Sequence, residues 1–464
     1  MFLHSRFVVV DDKEHHLKGI KQTLDALRLD CHSKLYDDET VGDWQPLPGT
    51  RILFLDQNLV TGATFGTADN KVAFTAIQDV IRRVICPDNG PYGLVLWAEE
   101  PDLDALKANL FERFTGEDAR YLPVFFAALQ KGDYIDTNDG TIKEPVKLQA
   151  DIQDRMSRSP QMKALLNWET DVAVAAGAVL RSIVDLVPFE KRSTDDFGVE
   201  LGNVLYRLAQ AGAGIERAQE NPRDSINRVL VPILADRITE HDPEGDAAVS
   251  WGSAIVEPEN VKADVPVPVS AAVNSALHLS FARTPGSIPI QPTELGAVVE
   301  FPEDDVDAFF KTHFGFDQEK FLQQVFRVSE EEWKDCTPRL IQIGAACDAA
   351  QPKPGPLLYL FAVEWPFANA DGLKAKGIEG GDPKKNLAAN SDRRPKELEW
   401  QSPILKIGDA PQGGRISVFK NLSMGLSPDE ARKLKAVYRF REELISQLTQ
   451  SYARHISRPG IVSL

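Results

Sequence analysis

The sequence has few cysteines, no long hydrophobic run and no excess of basic charge. None of the cysteines forms a Cys-x-x-Cys pair or has a histidine at ligand spacing, which argues against a disulfide framework and a structural zinc site. The apolar run of residues 1–10 is broken at Asp11, too early for a signal-peptide core or a membrane span. We therefore expect a cytoplasmic protein with no membrane segment. The four cysteines are Cys31, Cys86, Cys336 and Cys347.

The charge balance is acidic, because 52 lysines and arginines stand against 69 aspartates and glutamates, a net charge of −17. Such a field repels the phosphates of nucleic acid, so nucleic-acid binding is disfavoured. The composition, 43% hydrophobic and 26% charged, is that of ordinary globular proteins. At about 150 residues per domain, 464 residues predict roughly three domains.

The first 140 residues alternate short apolar runs with amphipathic stretches, as parallel strands and crossover helices do. This pattern predicts a flavodoxin-like (βα)5 fold with a doubly wound parallel sheet, in which ligands bind at the carboxyl ends of the strands. The predicted strands are 6–10, a weak one at 31–36, 51–55, 92–97 and 121–126, and the predicted helices are 15–29, 73–85 and 103–114.

The rest of the chain changes period twice. Residues 141–245 repeat apolar positions every three or four residues and predict a helical domain, whereas 246–464 predict a β-rich, barrel-like domain. In that last domain we expect a helical insertion at 304–333, a long loop at 368–396 and a terminal helix at 428–455. The overall expectation is a mixed α/β and α+β multi-domain protein.

Carboxylates follow two of the predicted strands. Asp11 and Asp12 close the first strand, and Asp56 closes the strand 51–55. The carboxyl ends of adjacent parallel strands meet at one edge of a sheet, and three carboxylates held there repel one another unless they share a hard cation such as Mg²⁺. The alternative is a solvated turn in which Asp12 caps the helix that begins at Lys13.

This pattern resembles the receiver domain of two-component response regulators. That family has an acidic pair after the first strand, a phosphoacceptor aspartate after the third strand and an asparagine two residues beyond it, the position that Asn58 holds in this chain. The resemblance implies that Asp11, Asp12, Asp56 and the main-chain carbonyl of Asn58 hold Mg²⁺. It also implies that Asp56 accepts a phosphoryl group.

Two switch positions depart from the family. Receivers carry a threonine or serine before an alanine at the end of the fourth strand, where this chain has Trp97. They carry a Lys-Pro pair after the fifth strand, where the strand prediction puts Phe126. Lys131, a few residues later, is an alternative source of the ammonium, but the sequence beside it is typical of a turn. Losing the hydroxyl and the ammonium removes donors that hold phosphoryl oxygens, which predicts a degenerate, or pseudo-, receiver.

Two weaker motifs complete the sequence evidence. A strand ending in Cys347 and Asp348 resembles a motif of small toxin-like β-barrels of bacterial conflict systems, some of which cleave RNA. A buried thiol beside a capped turn is the alternative interpretation. His15 and His16 adjoin the acidic pair, but neighbouring helical residues point to different faces, which predicts two surface histidines.

Together these observations predict a non-catalytic signalling adaptor that acts through protein partners such as an ATPase, in a bacterial conflict or antiphage defence system. One alternative is a phosphorylatable response regulator of a two-component phosphorelay, modified at Asp56 by a histidine-kinase-like protein. A further alternative is a Mg²⁺-dependent enzyme or an RNase of the toxin-barrel type.

Overall fold

A computed structural model gives the fold. The chain divides into two compact units, Met1–Gly177 with Ile238–Glu257 and Ala178–Arg237 with Pro258–Leu464. The helices of 141–245 are distributed over both units, and the division into three domains stays a prediction. The described residues are 6–26, 29–60, 70–157, 159–240, 246–255, 265–281, 289–301, 306–324, 336–344, 355–366, 399–407 and 413–457.

The first unit contains a five-stranded parallel sheet in the order β2-β1-β3-β4-β5, which confirms the parallel α/β layout. β1 and β3 are neighbours, with Val10 opposite Leu55, so the residues after both strands emerge side by side. The strands are β1 (Phe7–Asp11), β2 (Cys31–Leu35), β3 (Ile52–Leu55), β4 (Gly93–Ala98) and β5 (Phe125–Gln130).

Helices cover both faces of this sheet, because strand side chains alternate between the faces. One face packs against α2 (Asn70–Val84) and α3 (Leu103–Arg113), and the other against α1 (Glu14–Ala26) and α4 (Pro145–Ser157). Strands buried on both sides explain the near-continuous apolar runs of β1, β3 and β4.

A run of helices follows, which confirms the helical pattern expected of 141–245. Two more helices, at 246–254 and 267–278, lie where a β-rich domain was expected. Among the described residues, no helix has the length and apolar character needed to cross a membrane. The helices are α5 (Pro160–Val184), α6 (Phe197–Ala213), α7 (Ile215–Glu220), α8 (Pro222–Glu240), α9 (Asp246–Ala254) and α10 (Val267–His278).

The second unit contains a seven-stranded sheet in the order β10-β11-β9-β8-β7-β12-β6, in which every pairing is antiparallel. Apolar clusters line both of its faces. The strands are β6 (Leu279–Ser280), β7 (Ala297–Val299), β8 (Thr337–Gln342), β9 (Leu357–Pro366), β10 (Glu399–Gln401), β11 (Gly414–Leu426) and β12 (Ala436–Phe440).

The helical insertion is confirmed in part by α11 (Val306–Phe314) and α12 (Gln318–Gln324). The terminal helix 428–455 is wrong as one element, because it comprises α13 (Pro428–Ala431), β12 and α14 (Glu442–Ile456). Tyr438 and Phe440 alternate with polar or half-buried neighbours, a strand pattern that also matches part of a helical period. The loop 368–396 lies outside the described residues.

Three polar side chains pair inside this sheet. Glu364 of β9 accepts a hydrogen bond from the Tyr438 hydroxyl and forms an ion pair with Arg339, whose Nε lies 2.9 Å from its Oε1. Burial, together with the charge of Glu364, raises the pKa of Tyr438. Glu364 and Tyr438 are buried, Arg339 is half-buried, and the two charged side chains pair with each other.

Changing Tyr438→Phe removes one hydrogen bond but leaves the ion pair intact. We expect a loss of about 1–2 kcal/mol in the free energy of opening of β9 and β12, measured by hydrogen exchange. An unchanged exchange rate in both strands would show that the hydroxyl contributes nothing to the sheet.

Candidate metal and phosphoacceptor site

Three carboxylates meet at the carboxyl edge of the parallel sheet. Asp11 ends β1, Asp12 follows it, and Asp56 follows β3, where its backbone N–H donates to the carbonyl of Val10 over 2.9 Å. One oxygen from each carboxylate lies within 4.8 Å of the others. The strand order therefore brings together the three acids that the sequence singled out.

The loop after β3 is held in place by polar contacts. The backbone N–H of Asn58 donates to the carboxylate of Asp56, while the Asn58 side chain is exposed. The buried side chain of Gln57 accepts a hydrogen bond from the backbone N–H of Asp102 over 2.7 Å. The role of the Asn58 carbonyl as a metal ligand stays a prediction.

Lys131 is a residue that the sequence analysis named as a substitute for the missing ammonium but set aside as part of a turn. It follows β5 directly and is only 2% exposed, and its Nζ lies 2.6 Å from Asp11 Oδ2 and 2.9 Å from Asp56 Oδ2. The prediction that no ammonium follows the fifth strand is therefore wrong. This lysine bridges the two acids.

The two switch positions have different outcomes. Phe126 lies inside β5 and contacts Phe111, with ring centroids 6.0 Å apart, so its assignment to the lysine position is wrong. Trp97 is the penultimate residue of β4 and is fully buried between Phe54 and Tyr134, with centroid distances of 6.4 and 5.7 Å. The end of β4 thus carries a packed aromatic side chain in place of a hydroxyl.

Burial and charge set the ionisation of the site. Burial raises the pKa of Asp11, but contacts with His16 and Lys131 outweigh it, and the net effect lowers this pKa. Burial raises the pKa of Asp56, and Lys131 offsets only part of this rise. Burial lowers the pKa of Lys131, but the charges of Asp56 and Asp11 outweigh burial, and the net effect raises this pKa. The ammonium therefore stays charged.

Asp12 is the acid of the cluster that the lysine does not bridge. Burial, and then the charges of Asp56 and Asp11, raise its pKa to about 6. Its buried Oδ1 has no hydrogen-bond partner within the described part of the chain. Three carboxylates against one ammonium leave an excess of negative charge when all are ionised. This orphaned oxygen and the excess charge fit a hard divalent cation such as Mg²⁺.

The raised pKa of Asp12 predicts a pH dependence of stability. The folded state binds this proton more tightly than the unfolded chain, so the contribution of Asp12 to stability rises as pH falls from about 6 toward 3.8. Because Asp12 is half-buried and partly screened, we expect Asp12→Asn to stabilise the metal-free protein by only about 1 kcal/mol above about pH 7, with little effect below about pH 4.

Hydrogen exchange of β1 and β3 at the two pH values, with and without Mg²⁺, measures this effect. Mg²⁺ should reverse the order, because the cation stabilises the native protein and not the variant. Asp25→Asn, on the exposed side of α1, is the matched control. A variant that responds to Mg²⁺ as the native protein does would exclude Asp12 as a ligand.

Two other predicted sites have separate outcomes. Cys347 and Asp348 lie outside the described residues. His16 is fully buried rather than on the surface, and its partners are Lys131, Asp11 and the carbonyl of Thr137. The sequence contained a signal for this, since His16 lies four residues before the buried Ile20 on α1.

No protein-family model, no curated protein and no solved structure matches this chain. The interpretation of the site therefore rests on its residues and their geometry.

Proposed function

We propose that the first unit is a flavodoxin-like (βα)5 receiver domain that binds Mg²⁺ and accepts a phosphoryl group on Asp56. The observation that carries this proposal is the contact of Lys131 with both Asp11 and Asp56. An acidic pair, an acceptor aspartate and a buried lysine at one sheet edge supply a metal site, a nucleophile and a cation for phosphoryl oxygens. The lysine favours the response-regulator alternative over the degenerate receiver.

The chemistry requires an activated phosphoryl donor, either a small acyl phosphate or the phosphohistidine of a kinase-like protein. A carboxylate oxygen of Asp56 attacks phosphorus, the bond from phosphorus to the donor breaks, and the donor group leaves with that electron pair. Asp11, Asp12 and Asp56 would hold a Mg²⁺ ion, which would neutralise charge on the phosphoryl oxygens. Lys131 donates hydrogen bonds to the same oxygens and holds the new charge within the site.

The remainder of the chain would transmit this change to protein partners. We propose that the antiparallel sheet of the second unit is a barrel-like output domain and that the helices of 141–245 connect the two regions. A partner ATPase and a role in antiphage defence remain proposals that rest on the resemblance alone. The same holds for the RNase alternative, since Cys347 and Asp348 lie outside the described residues.

Intact-mass analysis after incubation with acetyl phosphate and Mg²⁺ tests the proposal. We expect one phosphoryl adduct per chain, absent with a chelator and absent in Asp56→Asn. Glu100→Gln, which changes an exposed acid just after β4, is the matched control and should keep the adduct. An unmodified native protein that is folded and binds Mg²⁺ would overturn the proposal.

That negative outcome would favour the second candidate, a pseudo-receiver that acts as a docking adaptor. Trp97 is the observation in its favour, because the packed indole removes a hydroxyl donor from the end of β4. In that case Asp56→Asn should leave the binding of protein partners unchanged.

A further inference from the structure

A buried histidine connects the acidic site with the segment that follows β5. His16 Nε2 lies 2.9 Å from the carbonyl oxygen of Thr137, and His16 Nδ1 lies 3.2 Å from Lys131 Nζ. His15 also approaches the Thr137 carbonyl, over 3.2 Å, but no contact with Lys131 is found for it among the described residues. His16 therefore has a neighbour on each side of its ring.

These two neighbours determine the tautomer of His16. A carbonyl oxygen only accepts hydrogen bonds, so Nε2 carries the proton and donates to Thr137. An ammonium only donates, so Nδ1 is the acceptor that faces Lys131. Asp11 Oδ1 lies farther from Nδ1, at 3.4 Å, so Lys131 Nζ is the nearer neighbour of this atom.

Lys131 Nζ thus has three neighbours at the site: it forms ion pairs with Asp11 and Asp56 and approaches His16 Nδ1 within hydrogen-bond distance. A cation that binds to the two carboxylates competes for two of these contacts. Of the three acceptors, the Nδ1 atom of His16 is then the one left to Lys131. His16 thus holds the ammonium near the site when the carboxylates are engaged.

The segment on the other side of His16 is fitted closely to α1. Residues 134–143, termed the post-β5 hairpin, include a bridge between Ile135 and Ile142. Gly140 has a φ of +76°, and a Cβ there would lie 2.1 Å from the carbonyl oxygen of His15. The hairpin backbone therefore lies directly against α1 at Gly140, where a side chain does not fit, and its Thr137 carbonyl contacts His16.

We propose that His16 is a positioning residue that holds Lys131 for phosphoryl transfer and couples occupancy of the acidic site to the post-β5 hairpin. This inference rests on the proposed function for the transfer step, but the tautomer and the coupling are measurable without it. With a divalent cation held by the carboxylates, Lys131 would keep its contact with His16, and the contact between His16 and Thr137 would be stabilised in turn.

Two conservative variants separate the two contacts. The amide nitrogen of glutamine replaces Nε2, so His16→Gln keeps the donor to Thr137 and loses the acceptor for Lys131. The amide oxygen of asparagine replaces Nδ1, so His16→Asn keeps the acceptor and loses the donor. His15→Gln is the matched control. We expect His16→Gln to slow modification by acetyl phosphate about tenfold, His16→Asn by less than about threefold, and the control not at all.

Two further measurements do not depend on phosphoryl transfer. Nitrogen NMR should find His16 protonated at Nε2 and unprotonated at Nδ1. Hydrogen exchange of the hairpin should slow about threefold to tenfold on Mg²⁺ addition in the native protein and in His15→Gln, but not in His16→Gln.

A protonated Nδ1, or equal Mg²⁺ responses in all variants, would overturn the inference. Equal modification rates in the two His16 variants would overturn the positioning role. A native protein that is never modified, but has the expected tautomer and coupling, would overturn only the proposed function.

Discussion

Replacing Lys131 with methionine is expected to destabilise the first unit by about 3–5 kcal/mol at neutral pH, because the change leaves Asp11 and Asp56 buried without their shared cation. Methionine keeps much of the side-chain volume, so the loss reports charge rather than packing. Hydrogen exchange of the β1 and β3 peptides measures the free energy of opening directly. Mg²⁺ should restore much of the loss, because it neutralises the same carboxylates.

The double variant Lys131→Met with Asp56→Asn provides the internal control. It should be more stable than Lys131→Met alone, because one of the two uncompensated charges has been removed. Lys143→Met changes an exposed lysine and should shift the free energy by less than about 0.5 kcal/mol. A Lys131→Met protein as stable as the native one, with no response to Mg²⁺, would contradict the bridging role of this lysine.

Trp97→Ala should cost about 3–5 kcal/mol, comparable to the loss of Lys131 but for a different reason. The indole is fully buried against Phe54 and Tyr134, and alanine would leave a cavity beneath the end of β4. Tyr134 also donates to Asp151 of α4 over 2.6 Å. We therefore expect faster hydrogen exchange in β4, in the post-β5 hairpin and in α4.

Trp168→Ala is the control for this prediction, since that indole is 49% exposed on α5. This variant should change the free energy of opening of the sheet by less than about 0.5 kcal/mol, as is usual for a surface substitution. Mg²⁺ should not rescue Trp97→Ala, in contrast to Lys131→Met, because a cavity is not a charge defect. Similar losses in the two tryptophan variants would show that Trp97 packs more loosely than its burial indicates.

The parallel sheet and its three acids were predictable because local signals determine both. Apolar runs followed directly by aspartates locate β1 and β3, and parallel pairing then brings Asp11 and Asp56 together. The position of Lys131 depended on one strand boundary. Pro123 lies in the run 121–126, and because proline lacks an N–H, it favours a strand that starts after it; the strand runs from Phe125 to Gln130.

Other features depend on contacts between residues far apart in sequence, which local patterns do not specify. His16 is buried because the post-β5 hairpin packs over α1. The contact joins His16 to Thr137, which lies 121 positions later in the chain. The long strand β11 was not predicted, and it pairs with β9 across a register shift between Val418 and Ser423. Such antiparallel pairings follow from the tertiary fold rather than from propensity.

Fluorine NMR of the native protein with beryllofluoride and Mg²⁺ tests most directly whether the acidic site is built to hold a phosphoryl group on Asp56. Beryllofluoride has the shape and charge of that group and bonds to a carboxylate oxygen without a phosphoryl donor. We expect bound fluoride signals in the native protein and in Glu100→Gln, and none in Asp56→Asn or without Mg²⁺. A folded native protein that binds Mg²⁺ but yields no bound fluoride signal would contradict the assignment of Asp56 as a phosphoacceptor.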